Sequence, residues 1–348
     1  MSIYSFQAIT TAQAAAYSGA ADSLNFGAGQ ANQVTVAYQG TPEQVIISFN
    51  GQSMNFGTGV YGDLDLKFDN GGMVFAGGTG ADSAVGSAAG DAMFGGAGGD
   101  TLNGGAGANI IQGNQGADSL VGGSGSDTIY GGQDNDTIVL GTGAAEANFT
   151  NGNKGDDTIT ASNGADIVLG GQGNDLITGG SGGDILTGNL GDDTIVGGVG
   201  ADTITGEGGY DVMTGGAGAD VFVFAAGTSD VSNPLADRIR DWSASDRIGL
   251  PVHGGYAELA NPGATAAAPP VSDPYGDYSY PTATSDEFTT ATDTANGAMS
   301  VNHALQIVAV QNSGDVTVYV DTNGDHVVDL AVVLLNASLA QIDGTNFV

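Results

Sequence analysis

Gly95-Gly96-Ala97-Gly98-Gly99-Asp100-Thr101-Leu102-Asn103 is one copy of a nine-residue unit, G-G-x-G-x-D-x-U-x with U a large apolar side chain, that recurs from Gly77 to Val223. Steps of nine place Asp82, Asp91, Asp100, Asp118, Asp127 and Asp136 in one frame. After a short interruption Asp157, Asp166, Asp175, Asp184, Asp193, Asp202, Asp211 and Asp220 share a second frame. Two positions beyond the aspartate slot stand Ala84, Met93, Leu102, Ile111, Leu120, Ile129 and Ile138, then Ile159, Val168, Ile177, Leu186, Ile195, Ile204, Met213 and Phe222. Glycines at the first, second and fourth positions open backbone angles closed to other residues, so six residues turn sharply with their carbonyls inward. The next three, as in Thr128-Ile129-Tyr130, favour strand and send one side chain to the interior. One unit cannot bury its apolar face alone, so neighbours stack into a solenoid. A flexible glycine-rich linker would not keep an apolar residue in phase.

Stacking also brings like-charged aspartates into columns about 5 Å apart, which repel unless a cation lies between them. Calcium takes oxygen ligands from carboxylates and backbone carbonyls, and each turn offers both kinds. The repeat holds no nitrogen or sulfur ligand, which argues against zinc and copper.

These units, as in Gly170-Gly171-Gln172-Gly173-Asn174-Asp175, resemble the nonapeptides of the RTX (repeats-in-toxin) family. The resemblance implies an all-β fold with a parallel β-roll, in which two nonapeptides make one coil and calcium sits between successive loops of a side. Carried over, one column is Asp82, Asp100, Asp118, Asp136, Asp157, Asp175, Asp193 and Asp211. The other is Asp91, Asn109, Asp127, Asp166, Asp184, Asp202 and Asp220, with Asn109 a departure from Asp. The interruption at 140–151 reads as a degenerate unit, Gly141 to Phe149, with Glu146 in the aspartate slot, and fewer or looser ions are expected near Asn109 and Glu146. The whole roll should hold about a dozen calcium ions.

The formal charge of −34, from 39 acidic and 5 basic residues, argues against nucleic acid or an anionic membrane as a direct partner. It suits a chain that waits for calcium and is disordered before it meets the ion. No cysteine is present, so stability must come from stacking and metal. Met1-Ser2-Ile3-Tyr4-Ser5-Phe6 lacks the basic and apolar regions of a cleaved secretory signal, and the longest apolar run, Leu330 to Leu335, is too short for membrane insertion.

Residues 1–76 read as a separate β-rich block that covers the first coil, with a helix-like stretch near Thr11 to Tyr17. The roll occupies 77–223, and 224–250 reads as its cap. All three arginines, Arg238, Arg240 and Arg247, and the only tryptophan, Trp242, fall there within ten residues. Similar segments close other RTX rolls, which implies arginines paired with nearby carboxylates rather than an arginine-built ligand site. Residues 251–296, rich in proline and tyrosine, read either as a surface loop whose tyrosines serve as contacts in an assembly or as a disordered stretch. Residues 297–348 return to strands. Between two of them Asp321, Asn323, Asp325 and Asp329 have a spacing able to wrap one more calcium, although a plain hairpin turned at Asn323-Gly324 accounts for it as well. The ending, Ser338 to Val348, is similar to C-terminal targeting regions of type I secretion substrates. Together with the repeats it implies export through that machinery to the exterior or surface of a Gram-negative bacterium.

Enzyme chemistry finds no support. None of His253, His303 and His326 stands in H-E-x-x-H, and Gly179-Gly180-Ser181-Gly182-Gly183 has the letters of a hydrolase elbow but lies in repeat register. A pore-former would need long apolar helices and lysines beyond Lys67 and Lys154. Two functions remain: a structural protein of the cell exterior that folds on calcium and self-assembles into a surface layer, filament or matrix, or an adhesion module that recognises a glycan or surface.

Overall fold

The computed structural model describes residues 2–6, 8, 11–17, 22–29, 31–39, 44–50, 52–57, 66–141, 146–224, 236–250, 307–312, 314–320, 330–342 and 347. The 251–296 segment and Asp321, Asn323, Asp325 and Asp329 lie outside them. The architecture is nearly all-β, a parallel β-solenoid of about eight turns with small β-rich regions flanking it. Two compact units share the chain, Met1–Gly180 and Ser181–Val348.

In the first unit each coil contributes one strand to each of two parallel sheets. One sheet runs through Met73–Ala76, Ala92–Ala97, Ile110–Gln115, Thr128–Gln133, Phe149–Lys154 and Ile167–Gln172. The other runs from Ser83–Val85 through Thr101–Asn103, Ser119–Gly123, Thr137–Gly141 and Thr158–Thr160 to Leu176–Ser181. The register repeats every coil: Met93 faces Ile111, Ile111 faces Ile129, and Leu102 faces Leu120. Every second side chain of a strand points inward, so Leu102, Ile111, Leu120, Ile129, Ile138, Ile159, Val168 and Ile177 form a fully buried file.

The interruption changes the coil length and leaves the stack intact. Ile129 pairs with Thr150 and Ile138 with Ile159, so this one coil is longer by three residues. The insertion shifts the aspartate slot. Asn148, two residues after Glu146, stands in the column; Glu146 does not. Thr150 therefore takes the inward position, fully buried, and its hydroxyl finds no hydrogen-bond partner among the described residues.

The N-terminal region continues the first sheet. Ser2–Ser5 pairs in parallel with Asp22–Asn25, Leu24 and Asn25 pair with Leu66 and Lys67, Leu66–Lys67 joins Met73–Ala76, and Val74–Ala76 pairs with the roll strand Ala92–Ala97. A three-stranded antiparallel sheet, Thr35–Gln39, Gln44–Phe49 and Gln52–Gly57, covers an aromatic cluster. In that cluster Phe26 stacks on Phe6 and on Phe68 at 4.8 Å each. Val45 and Ile47 are fully buried in this core.

In the second unit the parallel pairing continues past the last regular repeat. Ile185–Leu190, Thr203–Gly208, Val221–Val223 and Arg247–Gly249 form one sheet, with Phe222 opposite Ile248. Thr194–Val199, Val212–Ala217, Asp237–Ile239 and Leu330–Leu334 form the other, with Met213 opposite Ile239. The segment read as a cap thus supplies both strands of a further coil. Trp242, 4% exposed, packs at 6.3 Å from the Phe222 ring, and the Arg238 guanidinium lies over the Tyr210 ring at 5.1 Å. Antiparallel strands Asp315–Val320 and Ile307–Asn312 complete the edge beyond Leu330–Leu334. All five side chains of Leu330–Leu334 are buried.

Candidate calcium-binding turns

A glycine is needed where the chain turns under the next coil. At Gly200 the backbone is left-handed (φ 145°), and a Cβ there would run into the carbonyl oxygen of Gly182 one coil away. At the second position of their units Asn114 and Asn153 also have positive φ, 78° and 73°, a left-handed conformation that asparagine tolerates better than most residues.

These turns aim each aspartate along the stack. Its Oδ1 accepts the backbone N–H of the column residue one coil earlier. In the first column Asp82, Asp100, Asp118 and Asp136 donate to Asp100, Asp118, Asp136 and Asp157 at 2.7–2.8 Å, and Asp157 donates to Asp175 at 2.8 Å. In the second unit Asp193 donates to Asp211 and Asp211 to Asp237 at 2.9 and 3.0 Å. The second column runs Asp91, Asn109, Asp127, Asn148, Asp166 in the first unit, at 2.8–2.9 Å per step. In the second unit it runs Asp184, Asp202, Asp220, Asp246 at 2.8, 3.0 and 3.2 Å. Asn148, Asp237 and Asp246 are column members that the sequence frames missed. The signal for the last two was present in the apolar residues two positions on, Ile239 and Ile248, each buried in the core.

The other carboxylate oxygen decides what the turn can hold. The Oδ2 atoms of Asp100, Asp118, Asp127, Asp136, Asp157, Asp202, Asp211 and Asp220 are buried and accept no hydrogen bond from the described residues. They lie inside the turn: a Cβ built on Gly113 would strike Asp118 Oδ2 and would sit 2.6 Å from the carbonyl oxygen of Gly131 in the next coil. Orphaned anionic oxygens beside backbone carbonyls, with no protein donor in reach, suit a hard cation. Among the described residues no three His, Cys, Asp or Glu side chains converge, so the donors of any one turn are a carboxylate or two and main-chain oxygens. Not every slot is alike. Asp82 Oδ2 accepts the Gly78 N–H at 2.6 Å, Asp91 Oδ2 accepts the Ser87 N–H at 2.6 Å, and Asp166 Oδ2 accepts both the N–H and the hydroxyl of Ser162 at 2.8 Å.

Burial pushes these acids up. Asp136 rises to about 8, Asp118 and Asp175 to about 7, and Asp100, Asp127, Asp157 and Asp211 to about 6. Desolvation is the largest cause throughout. The carboxylates of Asp157, Asp118 and Asp134 add to it at Asp136, against the opposing N–H of Asp118. The metal-free fold therefore takes up protons that the unfolded chain does not. The stability this brings is fully present below about pH 4 and is lost as pH rises through the range from 6 to 8. In chelator, far-UV circular dichroism should accordingly show more strand at pH 5 than at pH 8, and equal content would contradict the burial of these groups.

The profile of the RTX calcium-binding nonapeptide repeat (4 copies) matches in overlapping blocks at residues 76–111, 112–146, 142–177, 151–186, 178–213, 187–222 and 196–229. The chain carries RTX calcium-binding repeats. RTX repeats bind calcium, and the files of buried aspartates are consistent with that ion. No curated protein sequence matches the chain. Among solved structures, the AlgE6R2 subunit from the Azotobacter vinelandii mannuronan C5-epimerase is similar at 18% identity and TM-score 0.32, over 52% of this chain and 90% of that one. The AlgE6R3 subunit of the same epimerase is similar at 21% identity and TM-score 0.24, over 53% and 78%. No helix among the described residues is long and apolar enough to cross a membrane.

Proposed function

We propose that the chain is a secreted, non-enzymatic structural protein that folds when calcium fills its aspartate columns and then associates with copies of itself on the cell exterior, as a surface layer, filament or matrix component. The calcium ligands in this reading are Asp100, Asp118, Asp136, Asp157, Asp202, Asp211 and Asp220, whose buried Oδ2 atoms meet no donor among the described residues, together with carbonyls of the adjoining turns. Calcium bound there supplies positive charge that offsets the carboxylates. On the order of ten ions would cancel much of the −34 charge and remove the repulsion between subunits.

The observation that carries self-association is an open sheet edge. Among the described residues Ser83–Val85 pairs only with Thr101–Asn103, and Val85 is 66% exposed. A parallel strand edge of this kind, not turned away from solvent, is a template for another strand. The ending that resembles a type I secretion region agrees with export, and transfer through that machinery would precede folding.

A groove favours a second reading. It has a volume of about 640 Å³ between the strand Thr35–Gln39 and the outer face of the first sheet, and Tyr38, Gln112, Asn114, Tyr130, Gln133 and Lys154 are among its lining residues. Amides and tyrosine faces are the groups that hold a saccharide, as an adhesion module requires. Light scattering across a calcium titration separates the readings: the structural one predicts that mass per particle rises with calcium and that Val85→Lys lowers it. A folded protein that stays monomeric in saturating calcium transfers the assignment to the groove.

A further inference from the structure

We propose that the second column of the first unit, Asp91–Asn109–Asp127–Asn148–Asp166, is closed by its own amides and stands without calcium, so that it forms a metal-free spine on which the calcium-dependent column assembles. The proposal rests on the calcium reading of the other column.

The chemistry of the two columns differs at every step. The first column in this unit has a carboxylate in each coil, Asp82, Asp100, Asp118, Asp136, Asp157 and Asp175, at the spacing of adjacent strands, about 5 Å. In the second, a neutral asparagine separates each carboxylate from the next, which doubles the distance between like charges.

Asn109 also puts a hydrogen-bond donor where the first column has a carboxylate oxygen. Its Nδ2 lies beneath Gly104 as the Oδ2 of Asp118 lies beneath Gly113. From there it donates to the carbonyl oxygens of Gly107 and Gly122 at 3.0 and 3.2 Å and to Asp127 Oδ1 at 2.9 Å. These oxygens belong to the turn and to the coil after it, the kinds of oxygen that calcium would bridge. Asn148 repeats the arrangement: its Nδ2 donates to Asp166 Oδ1 at 2.9 Å and to the Ser162 hydroxyl at 3.2 Å. Both ends of the column are closed by serine. The Ser87 N–H and hydroxyl reach Asp91 at 2.6 and 2.9 Å, and those of Ser162 reach Asp166 at 2.8 Å each. Two of the five members are thus neutral, and of the three carboxylates Asp91 and Asp166 accept donors at both oxygens, which leaves the Oδ2 of Asp127 as the one orphaned carboxylate oxygen of this column among the described residues. Satisfied polar networks of this kind hold a fold together, whereas orphaned oxygens oppose it.

Hydrogen exchange of the full chain, read by mass spectrometry across a calcium titration, tests the proposal. The N–H groups of Asn109, Asp127 and Asn148 should exchange at least about tenfold more slowly in chelator than those of Asp100, Asp118 and Asp136, and should reach full protection at lower free calcium. Asn109→Asp with Asn148→Asp should erase that lead. Because this pair of substitutions also destabilises, Asp118→Asn supplies a gain that loss of folding cannot mimic: its new amide should reach Gly131 and lower the calcium needed to protect the first column. A shared midpoint for the two columns in the wild type, or a lead that survives the double substitution, overturns the spine and leaves the calcium reading in place. Protection that ignores calcium in both columns overturns both.

Discussion

Chelation of calcium is expected to remove most of the strand signal of this protein, and its return to restore it. Eight carboxylate oxygens from Asp100 to Asp220 are buried without a donor in the described coils. Each costs about 1–3 kcal/mol when unsatisfied, and more when charged. A domain of this size is stable by only about 5–15 kcal/mol, so the columns outweigh that margin unless a cation or a proton meets them. Without the ion the first column and the coils of the second unit should open together, because neighbouring coils stabilise one another. Far-UV circular dichroism in chelator and then in millimolar calcium reads the change. A spectrum equally rich in strand under both conditions at pH 8 would remove calcium from the account.

Asp136→Ala is expected to raise the calcium midpoint about tenfold, whereas Asp82→Ala should move it less than about threefold. Asp136 is buried in mid-column: its Oδ1 takes the Asp118 N–H at 2.8 Å, and its Oδ2 is among the orphans. Truncation removes an oxygen donor to the ion and leaves the Asp118 N–H buried and unpaired, a loss of about 1–3 kcal/mol, where 1.4 kcal/mol is tenfold in affinity. Asp82 sits at the start of the column, is only half-buried, and already has its Oδ2 on the Gly78 N–H. Calcium titrations of the two variants followed by circular dichroism give the comparison, and equal midpoints would contradict a stacked column whose centre is more coupled than its end.

The roll was legible because each unit repeats one backbone solution. Glycine, aspartate and an apolar residue such as Ile129 or Ile204 recur at fixed spacing, and all three serve the same turn in every coil. Legibility ended where a coil changes length. Three inserted residues before Asn148 break the count of nine, and the inward residue that would restore the phase is Thr150, whose polarity hides it. Glu146 drew the assignment because its charge matched the pattern, although its backbone lies outside the column. Asp237 and Asp246 each sit 26 residues beyond their partners Asp211 and Asp220, so a fixed step cannot reach them. Leu330–Leu334 is buried on both faces, and a strand of that kind has the same continuous apolar sequence as an exposed sticky patch.

Native mass spectrometry of the intact chain, sprayed from calcium-containing buffer and again for Asp136→Asn, counts the ions directly. On the order of ten calcium ions per folded chain are expected, bound over a narrow range of free calcium, and at least one fewer in the variant. A folded wild-type chain that carries at most one or two ions, with a count unchanged by Asp136→Asn, would contradict the claim that calcium occupies the aspartate columns.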